Sequence, residues 1–163
     1  MTRAHLNKGV FIACFVAVMH ANAADAPSAP APGSPGLYVG DSTIEAKLKE
    51  AMQAAKDPAV SPIAITDQYL VNKVHRTRVG APAVHPGWTE LHIVLEGSAT
   101  FVTGGKIVPD AQGKPGTIDG GVSQTVSKGD AVVVPPNSPH WYKQIDGGIT
   151  VIEVRFIAPA SSP

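Results

Sequence analysis

The sequence predicts an all-β protein, an antiparallel sandwich or barrel of short strands preceded by one short helix. Three observations carry that prediction. The 163 residues include 16 Gly and 15 Pro, a density that interrupts helices and suits turns. From residue 61 onward, apolar residues alternate or run in short β-branched stretches bounded by Gly, Pro, Asn and Asp, giving about eight candidate strands. Ahead of them, one segment carries Ile44, Leu48 and Met52 at helical spacing.

The elements follow in order. Residues 1–23 read as a signal peptide: Arg3, His5 and Lys8 form a basic start, residues 9–19 are apolar, and Ala21-Asn22-Ala23 supplies a cleavage pattern. The apolar run is too short to span a bilayer, which takes ~20 residues. An uncleaved anchor is the alternative. A lipoprotein cut at Cys14 would leave too few apolar residues before it, so Cys14 goes with the removed segment. Cleavage also takes His5 and His20, removes Arg3 and Lys8, and turns a balanced charge into a slight acidic excess. The expected location is the periplasm or the cell exterior. Residues 24–40 are rich in Ala, Pro and Gly and read as a disordered or polyproline-like tether. Residues 41–60 hold the helix, with Asp41 and Ser42 as its caps and Asp57-Pro58 as its stop. Residues 61–158 form the β domain, and residues 159–163 a tail. Within that domain strands are expected over 68–79, over 91–103 with a turn at Glu96-Gly97, and over 122–126, 131–134 and 149–157.

Composition excludes several classes of function. The chain has 13 basic and 13 acidic residues and so no basic footprint for nucleic acid. One Cys allows no disulfide framework. After signal removal nothing suggests a membrane partner. No G-x-S-x-G, phosphate loop or mature Cys nucleophile is present, so any chemistry is metal-assisted or acid–base.

Three of the four mature His lie beside turn signals. His85 precedes Pro86-Gly87, and Glu90 follows it; His140 follows the Pro-rich turn that begins at Pro135. If His85 and Glu90 flank a hairpin loop of residues 86–89, they face each other across a ladder. Residue 83 would then pair with residue 92, placing His92 opposite the small Ala83 and on the same face as Glu90. Two His and a carboxylate with open positions suit a substrate-binding divalent metal. A structural hydrogen-bond cluster is the alternative. Trp88 and Trp141 are candidates for the cavity mouth and for contact with a planar or apolar ligand, with ordinary packing as their alternative. His75 is expected to be solvent-facing or satisfied in the core, and Arg76 and Arg78 to be exposed.

These residues are arranged as in a known family. Glu90-x6-Gly97 and His85-x4-Glu90 fit one motif, G-x5-H-x-H-x3-4-E-x6-G; Gly129-x5-Pro135 and Pro135-x4-His140 fit a second, G-x5-P-x-G-x2-H-x3-N. On these the chain resembles the cupin superfamily. The resemblance implies a cupin-like jelly-roll β-barrel. It also implies a divalent transition metal (zinc, manganese, iron, nickel or copper) held by His85, Glu90 and His140. Dioxygenase, isomerase, lyase and hydrolase activities on a small oxygen-bearing molecule all resemble known cupin functions, as does non-catalytic binding of a small ligand or metal. Homodimers are common in the family. Four departures stand out: Ala83 replaces the first motif His, Asn137 replaces a Gly, Gln144 replaces the final Asn, and residues 98–128 form a longer connection, expected to be a Gly-rich hairpin. His92 either replaces the missing ligand or fills the cavity wall and hydrogen-bonds a metal-bound water. Glu90 is the candidate acid or base if it is not a ligand.

Overall fold

The computed structural model describes residues 27–158. The expected signal peptide and the tail of residues 159–163 lie outside the described residues. The order is α1 (Asp41–Gln53), β1 (Ala59–Ile65), β2 (Tyr69–Arg76), β3 (Thr89–Thr103), β4 (Lys106–Pro109), β5 (Pro115–Asp119), β6 (Val122–Ser127), β7 (Ala131–Val134) and β8 (His140–Phe156). All the strand pairings are antiparallel. One sheet runs β1-β2-β8-β3-β6, with β7 also paired to β3. This is the antiparallel architecture expected from the residues, and it is consistent with the jelly roll that the resemblance implies. No helix among the described residues is long and apolar enough to cross a membrane.

Two long strands organise the barrel. β3 and β8 pair along most of their lengths, and both change phase midway. Along β3, Glu90, His92 and Val94 are buried, and then Ala99 and Phe101. Bulges between Val94 and Ala99 move the buried set from even to odd positions. The expected turn at Glu96-Gly97 is therefore a bulge within one strand. Both features draw on the same backbone freedom, since Gly97 has φ 80°. A Cβ at Gly97 would stand 2.0 Å from the Gly148 carbonyl oxygen, so only Gly fits there. The phase change lets one strand contribute His92 and Phe101 to the same interior, with ring centroids 5.2 Å apart.

The apolar core is Val74, Val94, Ala99, Phe101, Val126, Val134, Tyr142, Ile149 and Val151. Helix α1 lies outside the barrel and covers β1: Leu48 and Ala51 pack on Ala59, and the Ser61 hydroxyl donates to the Ile44 carbonyl at 2.9 Å. The helix begins earlier than expected. Its N-cap is Gly40 with no side-chain cap, and Asp41 sits in the first turn, where a negative charge meets the positive end of the helix dipole. Met52, expected on the packed face, is exposed, and Ala51 takes its place. Within the tether, Pro27 and Ala29 are anchored rather than free: the Pro27 carbonyl accepts from Asp67 N–H at 2.9 Å, and Ala29 N–H donates to Asp67 Oδ1 at 2.8 Å. The long connection contains the expected hairpin, formed by β4 and β5.

The expected ladder between residues 80–85 and β3 is absent. Trp88 N–H does donate to the His85 carbonyl at 3.3 Å, so the turn exists. However, Ala83 pairs with His140, not His92, through two backbone hydrogen bonds of 2.9 Å. β8 already occupies that side of His92, which pairs with Glu153. The second turn places Asn137 at φ 63°, the left-handed conformation that a Gly would otherwise supply. Its Oδ1 accepts the Gly87 N–H at 3.4 Å and ties the two turns together.

Candidate metal centre

Glu90 is the hub. It is 1% exposed, near the start of β3. Its Oε1 lies 3.4 Å from His140 Nε2 and 3.6 Å from His85 Nε2. Its Oε2 lies 3.5 Å from His92 Nε2 and accepts a hydrogen bond from Arg155 Nε at 3.1 Å. The donors reach this point by three routes: His85 on the loop after Ala83, Glu90 and His92 on β3, and His140 at the first position of β8. Pairing by the backbone, not side-chain affinity, brings them together.

The donor spacing fits a shared cation. Ligands 2.0–2.2 Å from one ion, at angles between square and tetrahedral, stand about 3–3.5 Å apart. The imidazole–carboxylate separations are at or just beyond that range and too long for good hydrogen bonds. His140 Nδ1 lies 3.2 Å from the Ser138 carbonyl, which can only accept, so Nδ1 carries the proton and Nε2 presents its lone pair. His92 Nε2 is buried with no hydrogen-bond partner, while its Nδ1 meets the Tyr142 hydroxyl at 3.1 Å.

The charge states suit ligation as well. Burial alone would raise the Glu90 pKa, but His92, His140, Arg155 and His85 outweigh it and hold the carboxyl down at about 2. Burial and the nearby Arg155 lower the pKa of His85, against the pull of Glu90. Burial likewise lowers His140. An ionised carboxylate beside neutral imidazoles is the donor state that a divalent metal requires.

Among the described residues, two groups of three place their donor atoms within 4.8 Å of one another: His85, Glu90 and His140, and Glu90, His92 and Glu153. The four residues singled out from the sequence are thus divided between two groups that share Glu90. Glu153 was not anticipated. It is 4% exposed and pairs with Arg155 Nη2 at 3.0 Å. Arg76, expected at the surface, instead points inward. It lies 3.6 Å from Glu153 and sits over the Tyr142 ring at 5.4 Å. Arg78 is exposed as expected, beside Asp57. His75 is held by Thr150 Oγ1 at 2.9 Å, on the outer side of the wall. The sequence did hold a signal for the missed residues. Val151, Glu153 and Arg155 alternate on one face of β8, and charges that follow the buried Ile149 and Val151 on that face mark a site.

A cavity of about 160 Å³ adjoins the cluster, lined by His85, His92, His140, Arg76, Glu153 and Arg155 among others. Trp141 also lines it, but its Nε1 donates to the Gly80 carbonyl at 2.7 Å and is not available to a ligand. Trp88 is half-buried and is not among the lining residues. A wider hollow of about 330 Å³ between the end of α1 and β2 holds no such convergence. Its Asp57 is already engaged by Thr77 and Arg78.

The cupin family profile matches residues 76–155. No curated protein sequence matches the chain. Among solved structures, iron(II) HppE has a TM-score of 0.47 at 16% identity, covering 60% of this chain and 50% of that one. A cupin superfamily protein from Desulfitobacterium hafniense DCB-2 has a TM-score of 0.44 at 14% identity, covering 61% and 76%. KdgF from Halomonas sp. has a TM-score of 0.44 at 19% identity, covering 61% and 78%. The chain thus spans about half the length of the HppE chain. The two motifs, the jelly roll and the family match place this chain in the cupin superfamily.

Proposed function

We propose that this chain is an exported, metal-dependent cupin enzyme that acts on a small oxygen-bearing molecule in the barrel cavity. The observation that carries the reading is the convergence of His85, His140 and Glu90 Oε1, with the Nε2 of His140 set as a lone pair by Ser138. A divalent metal bound there would supply Lewis acidity to a coordinated oxygen. The chain's own residues do the rest. Arg155 holds Glu90 Oε2 and so turns Oε1 toward the two imidazoles. With both oxygens engaged, Glu90 is a ligand rather than a proton carrier. The proton carrier is His92, which Tyr142 steadies at Nδ1 and whose Nε2 faces Glu90. Phe101 packs against His92 and excludes water from that side.

Elemental analysis of the purified protein tests this reading. The expected result is near-stoichiometric metal in the wild type and in His92→Ala, with at least about tenfold weaker metal binding in His140→Ala. Equal metal loss in both variants would instead make His92 a fourth ligand. A protein with no affinity for any divalent transition metal would end the proposal.

A further inference from the structure

The reading above leaves Arg76 unexplained. It lines the cavity, and a guanidinium, even half-buried, offers five donors that normally find partners. Here Nε is buried without a partner, and the nearest carboxylate oxygen to Nη2, on Glu153, is 3.6 Å away, beyond hydrogen-bond reach. The side chain is nevertheless held in place. Its Cζ lies 5.4 Å from the Tyr142 ring centroid, and Glu153 fixes the charge from the other side. Arg155, by contrast, spends its donors on Glu90 at 3.1 Å and on Glu153 at 3.0 Å. One guanidinium is structural, and the other is positioned with its donors unspent.

The charge count points the same way. The walls bring two carboxylates, Glu90 and Glu153, against two guanidiniums, Arg76 and Arg155. That set is balanced, so a divalent cation on the donors would leave the cavity positive unless the ligand brings negative charge. Size narrows the class further. A cavity of about 160 Å³ is close to one that holds benzene, which is about six non-hydrogen atoms.

We propose that the cavity takes a small organic acid of about six non-hydrogen atoms, whose carboxylate is received by the planar fork of Arg76. This assignment rests on the metal-dependent reading for its charge balance, but its test does not depend on bound metal. The probes are butyrate and butyramide, which match in shape and differ in charge. Binding to the purified, metal-stripped protein is followed by ligand-observed NMR and by calorimetry. Butyrate should bind at least about tenfold more tightly than butyramide, and Arg76→Gln should remove that preference. Arg76→Lys, which keeps the charge and loses the fork, should fall between. Equal binding of acid and amide by the wild type would overturn the assignment without any variant. So would undiminished butyrate binding by a folded Arg76→Gln, or no butyrate binding at all. Metal content of the wild-type protein before stripping, and its affinity for added divalent metal afterwards, separate the two readings. Metal without acid binding removes only the substrate class; acid binding without metal affinity removes only the metal-dependent function.

Discussion

Glu90→Gln keeps the shape of the side chain and removes the charge on which three imidazoles and Arg155 converge. The folded protein holds the Glu90 pKa at about 2, against 4.5 for the free group. At about 1.4 kcal/mol per unit, that difference contributes about 3 kcal/mol to the stability of the metal-stripped protein. The sign follows from the direction of the shift. A depressed carboxyl pKa stabilises fully above 4.5, and the contribution fades as pH falls toward 2. His85 and His140, both lowered from 6.5, act in the same sense but begin to act at higher pH. The Glu90 contribution is lost in the window between about pH 4.5 and pH 2, and comparison with Glu90→Gln separates it from that of Asp57, whose carboxyl is also held down. Urea unfolding of chelator-treated protein, followed by the fluorescence of Trp88 and Trp141, measures the effect. The wild type should lose about 3 kcal/mol more than Glu90→Gln across that window. Parallel pH profiles for the two proteins would refute the claim that the cluster holds Glu90 ionised.

Four further outcomes are expected. Gly97→Ala should lower stability by about 2–4 kcal/mol, since it adds a backbone clash to a left-handed φ. Gly113→Ala, at a similar φ but with open space around it, should cost only about 1 kcal/mol, and thermal melts of the pair separate clash from strain. Phe101→Ala should cost about 3–5 kcal/mol by denaturant titration, because Phe101 is 2% exposed and stacks edge-on against Tyr142 at 4.5 Å. Export with cleavage after Ala23 predicts that N-terminal sequencing of the protein recovered from the periplasm or medium begins at Ala24.

What could be read in the chain depended on how local the determinant was. β7 is a short apolar stretch between a Gly-Asp and a Pro-Pro, and its bounds follow from those neighbours alone. The motif spacing likewise pointed to His85, Glu90 and His140, because each sits at a fixed distance from a turn. The partner of Ala83 depended on a strand far along the chain. An assumed local hairpin put His92 there, whereas β8 supplies His140. Gly97 illustrates a second limit. Positive φ serves a turn and a bulge equally, and only the approach of Gly148 distinguishes them. Arg76 illustrates a third. Alternation along β2 puts Val74 and Arg76 on one face, but it cannot say that the barrel interior turns polar at that depth.

The Ala83–His140 bridge joins the loop bearing His85 to the strand bearing His140 through main-chain atoms on both sides. Main-chain hydrogen bonds are indifferent to side-chain identity. Residues such as Ala81 and Ala83, which line the cavity, can therefore be exchanged for larger or more polar ones while the donors keep their spacing. Under the proposed function, substrate preference and metal geometry would thereby be separable under selection. The exception is Pro at position 83, which would delete the N–H donated to His140 and loosen the loop that carries His85. The entrance can diversify freely so long as that single amide survives.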